Sequence, residues 1–190
     1  AAPRGAGAGV VDHVFVGGGV IDPERNLDAV RAVGVLGGRI VSVTTTVPTA
    51  RDTIHARGLV VAPGFIDLHS HGQDSINYRF LARDGVTTAL ELELGTYPVA
   101  PWYAKRAGKA LINYGVSASH PGARRAMLDS DSSAEGSDVI GATGGFVRAP
   151  IEAARFSELT RRLDVALADG ALGIGMGINY TPAATRAEIL

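Results

Sequence analysis

Two histidines separated by one residue close an apolar run near the first third of this chain. Residues 60–73 read VVAPGFIDLHSHGQ. In extended backbone alternate side chains share a face, so Asp67, His69 and His71 point one way and Ile66, Leu68 and Ser70 the other. Two imidazoles at the end of a strand that stops at Gly72 form a pincer for one metal ion, because neutral imidazole is the commonest protein ligand for metals. A strand end also opens onto a cleft that a substrate can enter. Two surface histidines beside a turn would read the same on this triplet alone.

A second pair of ligating groups lies further on. Residues 86–94 read as a strand in which Glu91 and Glu93 share a face opposite Leu90, Leu92 and Leu94. With the leucines against helices, the glutamates point inward, where a carboxylate is costly unless it meets a metal or a cation. Alternation by itself also fits a solvated acidic face. The chain has no cysteine, which removes disulfides and thiolate ligands and leaves histidine and carboxylate to hold any metal. No G-x-S-x-G elbow, P-loop or cysteine nucleophile is present. Gly17-Gly18-Gly19 follows a strand pattern but no helix pattern follows it, which argues against a phosphate loop.

The elements that must position these groups fall into two kinds. Residues 11–62 read as short strands between turns, with a hairpin over 32–36 and 39–43 turning at Gly37-Gly38. His13 and His55 lie there and read as ordinary structural or exposed histidines. From Phe65 the pattern becomes strand, turn, helix, strand. Strands are expected at 65–71, 86–94, 110–119 and 171–178, and helices at 75–84, 102–110 and 151–169, the last ended by Gly170. Thr181-Pro182 is expected to cap a final helix. The polar stretch 121–145 reads as an active-site loop with little core of its own. Alternation of strands and helices predicts parallel β/α units. The division expected is a flexible 1–10, a small β-sandwich module over 11–62 and a β/α part over 63–190.

Composition narrows the classes of function. With 190 residues, 46% of them apolar, the chain can bury a real core. Eighteen basic against nineteen acidic residues give a net charge of −1, which offers no electrostatic case for nucleic acid or an anionic membrane. No run of eighteen apolar residues spans a membrane. The opening AAPRGAGAG fits a linker or a processed N-terminus equally, so the compartment stays open.

The string GLVVAPGFIDLHSH (58–71) resembles the start of the barrel in the amidohydrolase superfamily of metal-dependent hydrolases. The later segments GVTT (85–88), SASHPGARRAM (117–127) and GALGIGMGINYTP (170–182) resemble its D-aminoacylase branch. The resemblance implies an α/β fold: the N-terminal part of a (β/α)8 TIM-type barrel, about four β/α units, preceded by the β-sandwich module. It gives His69 and His71 the first metal, zinc foremost, in a centre of one or two divalent ions. The branch has a metal-ligating cysteine where this chain has Leu94, so Glu93, and after it Glu91, is the expected substitute. The resemblance also makes His120 a catalytic group that polarises substrate or stabilises an oxyanion. Arg124 or Arg125 then binds a substrate carboxylate, and Tyr180 reaches the site.

The function implied is hydrolysis of the amide of an N-acyl amino acid or similar small molecule. Four strands are half of the eight such a barrel needs. The further ligands and general base that relatives take from later strands are therefore expected from a C-terminal half, supplied as a separate chain, or from pairing in a higher oligomer. The alternatives left open are a non-catalytic half-barrel that assembles or binds, and a cyclic amidase or deaminase of the same superfamily.

Overall fold

The computed structural model describes residues 9–129, 134–135 and 139–190. The chain divides into two compact units, Ala1–Pro63 and Gly64–Leu190.

Among the described residues the first unit is built of strands, with one 3-10 turn at Pro23–Arg25. Its larger sheet has the order β5-β4-β1-β6, formed by β1 (Val11–Val16), β4 (Ala32–Leu36), β5 (Arg39–Thr44) and β6 (Ala50–His55). Its smaller sheet joins β2 (Gly19–Asp22), β3 (Leu27–Val30) and β7 (Val60–Val61). The β4–β5 hairpin forms where the sequence places it, because Gly37 (φ 57°) and Gly38 (φ 73°) take the left-handed backbone that a two-residue hairpin turn demands. Val11, Val14 and Ala32 make its small core. His13 and His55 are both exposed, and His13 lies 3.4 Å from Asp52.

The second unit is a parallel sheet with helices between its strands. β8 (Phe65–Asp67) pairs with β9 (Val86–Tyr97), β9 with β10 (Asn113–Ser119), and β10 with β12 (Ile174–Gly175), every pair parallel. The connections are α1 (Asn77–Arg83), α2 (Val99–Arg106), and then α3 (His120–Leu128), α4 (Gly145–Arg148) and α5 (Phe156–Ala168). A two-residue β11 (Ala134–Glu135) adds to β9 antiparallel, and α6 (Arg186–Ile189) closes the chain. Sequential parallel strands joined through helices form a partial barrel of β/α units. No helix among the described residues is long and apolar enough to cross a membrane.

One core holds α2, α3 and α5 against β10. Trp102, Val116, Ala118, Met127, Ile151, Leu159 and Leu163 are buried in it. Each fully buried Val, Ile, Leu or Met side chain among them contributes roughly 1.5–3 kcal/mol. The α5 residues Leu159, Leu163 and Ala166 are spaced at three and four, so a single stripe of that helix faces inward. Gly170 (φ 104°) ends the helix as expected.

Three expectations are corrected. The first barrel strand stops at Asp67 rather than His71. The Asp67 carboxylate accepts the His69 N–H at 3.0 Å, a local turn that competes with the ladder. The stretch after His120 is not loop throughout: Ser119 caps α3 by accepting the Gly122 N–H at 3.0 Å, Pro121 sits in the first turn, and His120–Leu128 is helix. The last helix is capped by Thr185, not Thr181, and the Thr185 hydroxyl accepts the Glu188 N–H. Of the remaining expected loop, residues 130–133 and 136–138 lie outside the described residues.

Candidate metal centre

Beyond Asp67 the chain stays beside β9 through a single antiparallel bridge, His69 to Glu91, and through Ser70 N–H donating to Leu90 O at 2.9 Å. His69 and His71 therefore stand directly over the glutamates of β9. There β9 is irregular. Val116 of β10 pairs with Glu91, but Ala118 pairs with Thr96, so two steps on β10 match five on β9. The extra residues bulge out of the ladder, and bulges re-aim side chains beside functional sites. Gly95 permits the bulge. Its φ is 68°, and a Cβ there would lie 2.3 Å from Ser117 O. The Ser117 hydroxyl fills the gap within 3.2 Å of both Glu91 O and Leu92 O.

His69 Nε2 and His71 Nε2 are 2.9 Å apart. Glu93 Oε2 lies 2.9 Å from the first and 3.4 Å from the second. Among the described residues these three side chains form the cluster able to hold a metal ion. A triangle with those edges has a circumscribed radius of about 1.8 Å, inside the ~2.0–2.2 Å reach of zinc–nitrogen and zinc–oxygen bonds. One ion can contact all three donors. All three are partly open to solvent, which leaves room for further ligands and a substrate. An N,N,O set suits zinc and also manganese or iron.

Glu91 does not join that triangle. Its Oε2 contacts Nδ1 of His71, the ring nitrogen facing away from the cluster, and its Oε1 accepts the Leu94 N–H at 3.2 Å. Glu91, expected after Glu93 as a ligand, thus stands outside the three-donor cluster and beside the far nitrogen of His71. Leu94, where the resemblance places a cysteine, is fully buried against Val139 and Phe146 and takes no part in the cluster.

The remaining expected site residues gather elsewhere. His120 is 1% exposed and is bonded to Glu188 at 2.9 Å through Nε2. Burial holds its pKa below the ordinary histidine range, and the Arg124 charge adds to this, while Glu188 opposes it. Arg124 is fully buried. Its Nε donates to Phe146 O at 3.0 Å, one terminal nitrogen donates to Ala149 O at 2.6 Å, and the other pairs with Glu188. A guanidinium occupied on all three nitrogens offers no free edge to a substrate carboxylate, so the expected roles of His120 and Arg124 at an open site are not what this structure displays. Arg125 is partly buried on α3, and Tyr180 packs against the Leu94 cluster. Glu188 was missed by sequence reasoning. The Thr185-x-x-Glu188 spacing was the available signal, and it marks a capping box rather than a buried ion pair.

No family model matches the chain. It is 30% identical to the D-aminoacylase of Alcaligenes xylosoxydans xylosoxydans over a 214-residue alignment covering 94% of this chain and 40% of that protein. A crystal structure of D-aminoacylase superposes with a TM-score of 0.72 at 25% identity, covering 94% of this chain and 41% of its own. The N-acyl-D-glutamate deacylase of Bordetella bronchiseptica, solved with zinc and a phosphonate inhibitor, gives 0.72 at 22% identity over 95% of this chain and 42% of its own. The chain thus spans about two fifths of the length of these relatives. Together with the parallel β/α fold and the histidine pair, they place it in the amidohydrolase superfamily, in its D-aminoacylase-like branch.

Proposed function

We propose that this chain is the N-terminal portion of a metal-dependent hydrolase that cleaves the amide of an N-acyl amino acid or a related small amide. The observation that carries the reading is the convergence of His69 Nε2, His71 Nε2 and Glu93 Oε2 on one point. A divalent ion held there, zinc foremost, would polarise a carbonyl and acidify water. The chain's own residues do the rest of what is visible: His69 and His71 orient the site at the end of β8, and Glu93 brings negative charge to it from the β9 bulge. Three donors leave positions to fill. The further ligands, the general base and most of the substrate pocket are assigned to polypeptide matching the remaining length of the relatives, supplied by another chain or segment. Support comes from the relatives, one an N-acyl-D-glutamate deacylase solved with zinc.

The test combines intact-mass analysis, metal analysis and a screen of N-acyl amino acids on the chain alone and with a polypeptide matching that remaining length. Metal bound at His69 and His71, and turnover only in the combination, is the expected result. Full turnover by the 190-residue chain, or metal and activity that survive His69→Ala and His71→Ala, would overturn it. A second reading, a non-catalytic assembly partner, is favoured by Leu94, a core residue where the branch carries a ligand. Loss of activity in the same histidine variants excludes it.

A further inference from the structure

We propose that Glu91 is a positioning residue of the metal centre: its carboxylate fixes the His71 imidazole as the Nδ1–H tautomer and turns Nε2 toward His69 and Glu93. This rests on the metal-centre reading above. A carboxylate accepts hydrogen bonds and has none to donate when ionised. The nitrogen facing it must therefore carry the proton, and in a neutral ring the lone pair then belongs to Nε2. That is the atom found 2.9 Å from His69 Nε2 and 3.4 Å from Glu93 Oε2.

Glu91 is built to hold this orientation. Its side chain is 8% exposed, against 38% for Glu93. Each of its oxygens is already engaged, Oε2 on His71 and Oε1 on the Leu94 N–H. Its backbone is fixed by the Ser117 hydroxyl on its carbonyl and by the bridge to His69. Glu93 is the opposite case, with Oε2 directed at both Nε2 atoms. Two carboxylates two residues apart thus divide the work, one toward the ion and one behind the ligand. Carboxylate partners behind ligating histidines fix the tautomer and raise ligand basicity.

The experiment uses the 190-residue chain, with Glu91→Gln and Glu91→Asp as variants and far-ultraviolet circular dichroism as the folding control. Ring-nitrogen NMR of His71 at pH 8, without metal, reads the tautomer. Calorimetric titration with Zn2+ alone reads affinity, and the Co2+ absorption spectrum at saturation reads the ligand set. The expected result is Nδ1–H in the parent, a shift toward the other tautomer in Glu91→Gln, and Zn2+ affinity lower by roughly 10–100-fold, with the Co2+ band shape unchanged. Glu91→Asp, keeping a carboxylate, should retain Nδ1–H, and it carries the test if Glu91→Gln does not fold. Unchanged tautomer and affinity in Glu91→Gln overturn the proposal. So does a changed Co2+ spectrum, which would make Glu91 a direct ligand. If the parent shows the Nδ1–H tautomer and Glu91→Gln shifts it, but neither binds Zn2+, the metal-centre reading fails while the orientation by Glu91 stands.

Discussion

His69 and His71 meet Nε2 to Nε2 at 2.9 Å, with their rings at 80° to one another. Residues two apart on an ideal strand lie on one face about 6.5 Å apart, with ring orientation left to the side-chain torsions. Here the turn made by Asp67 with the His69 N–H breaks the strand between them and β8, and the two rings approach edge to face. The two rings thus converge just beyond the end of β8, which stops at Asp67.

That geometry predicts one shared ion. Titration of the chain with Zn2+ should give a single high-affinity site. His69→Ala and His71→Ala should each weaken it by more than the ~10–100-fold that loss of an outer partner costs, because each removes a direct donor. Glu93→Gln should weaken it as well. Equal affinity in the parent and either histidine variant would show that the ion binds elsewhere.

Arg124, His120 and Glu188 make a second, wholly internal arrangement that ties the start of α3 to α6. Truncating one partner of a buried ion pair strands the other charge away from water and costs about 3–5 kcal/mol. Arg124→Met should accordingly lower the urea midpoint more than any substitution at the half-exposed Glu93. A change under about 1 kcal/mol would mean that Glu188 can reach water, which its complete burial opposes.

The same knot sets a pH dependence. Burial is the largest cause of the lowered His120 pKa, and the charged groups facing the ring are Glu188 and Arg124. With the folded pKa below the unfolded value of about 6.5, the unfolded chain binds the extra proton first as pH falls. Stability is then fully present above about pH 6.5 and declines below it. Urea melts from pH 8 to pH 5 check this against His120→Gln, whose stability should fall less steeply below pH 6.5. Identical slopes in the two proteins would remove His120 as the cause.

How much of this was legible in the sequence depended on how local the cause was. The β4–β5 hairpin was readable because Gly37 and Gly38 carry the turn themselves. The nearness of the two histidines was readable because they are neighbours in sequence, and the shared face of Glu91 and Glu93 because both alternate with leucines. The separate role of Glu91 was not readable, since it depends on the bulge, and the bulge depends on Ser117 and Gly95 meeting across two strands. The Arg124–Glu188 pair joins residues 64 apart, and no local pattern specifies such a contact. Start signals for α3 were present in Ser119 and Pro121, but the polar text after them outweighed a cap that only two residues announce.

Gly177, two residues past the end of β12, offers a final prediction. A Cβ on Gly177 would lie 2.1 Å from Leu94 Cδ2 and 2.9 Å from Tyr180 Cδ2. Leu94 is itself enclosed by Val139 and Phe146, so it has little room to yield. Gly177→Ala should therefore destabilise by about 1–3 kcal/mol through overpacking, and Leu94→Ala by about 2–5 kcal/mol through a cavity. In the double variant the new methyl occupies part of the space the leucine vacates. The combined cost should fall short of the sum by about 0.5–3 kcal/mol, the range for residues in contact. Strict additivity in urea melts would show that Gly177 does not face Leu94. Because Leu94 lies outside the donor cluster, Leu94→Cys should likewise lower stability without raising Zn2+ affinity. A gain in affinity would mean that the bulge can turn position 94 toward the histidines, as the resemblance to the D-aminoacylase branch alone would have it.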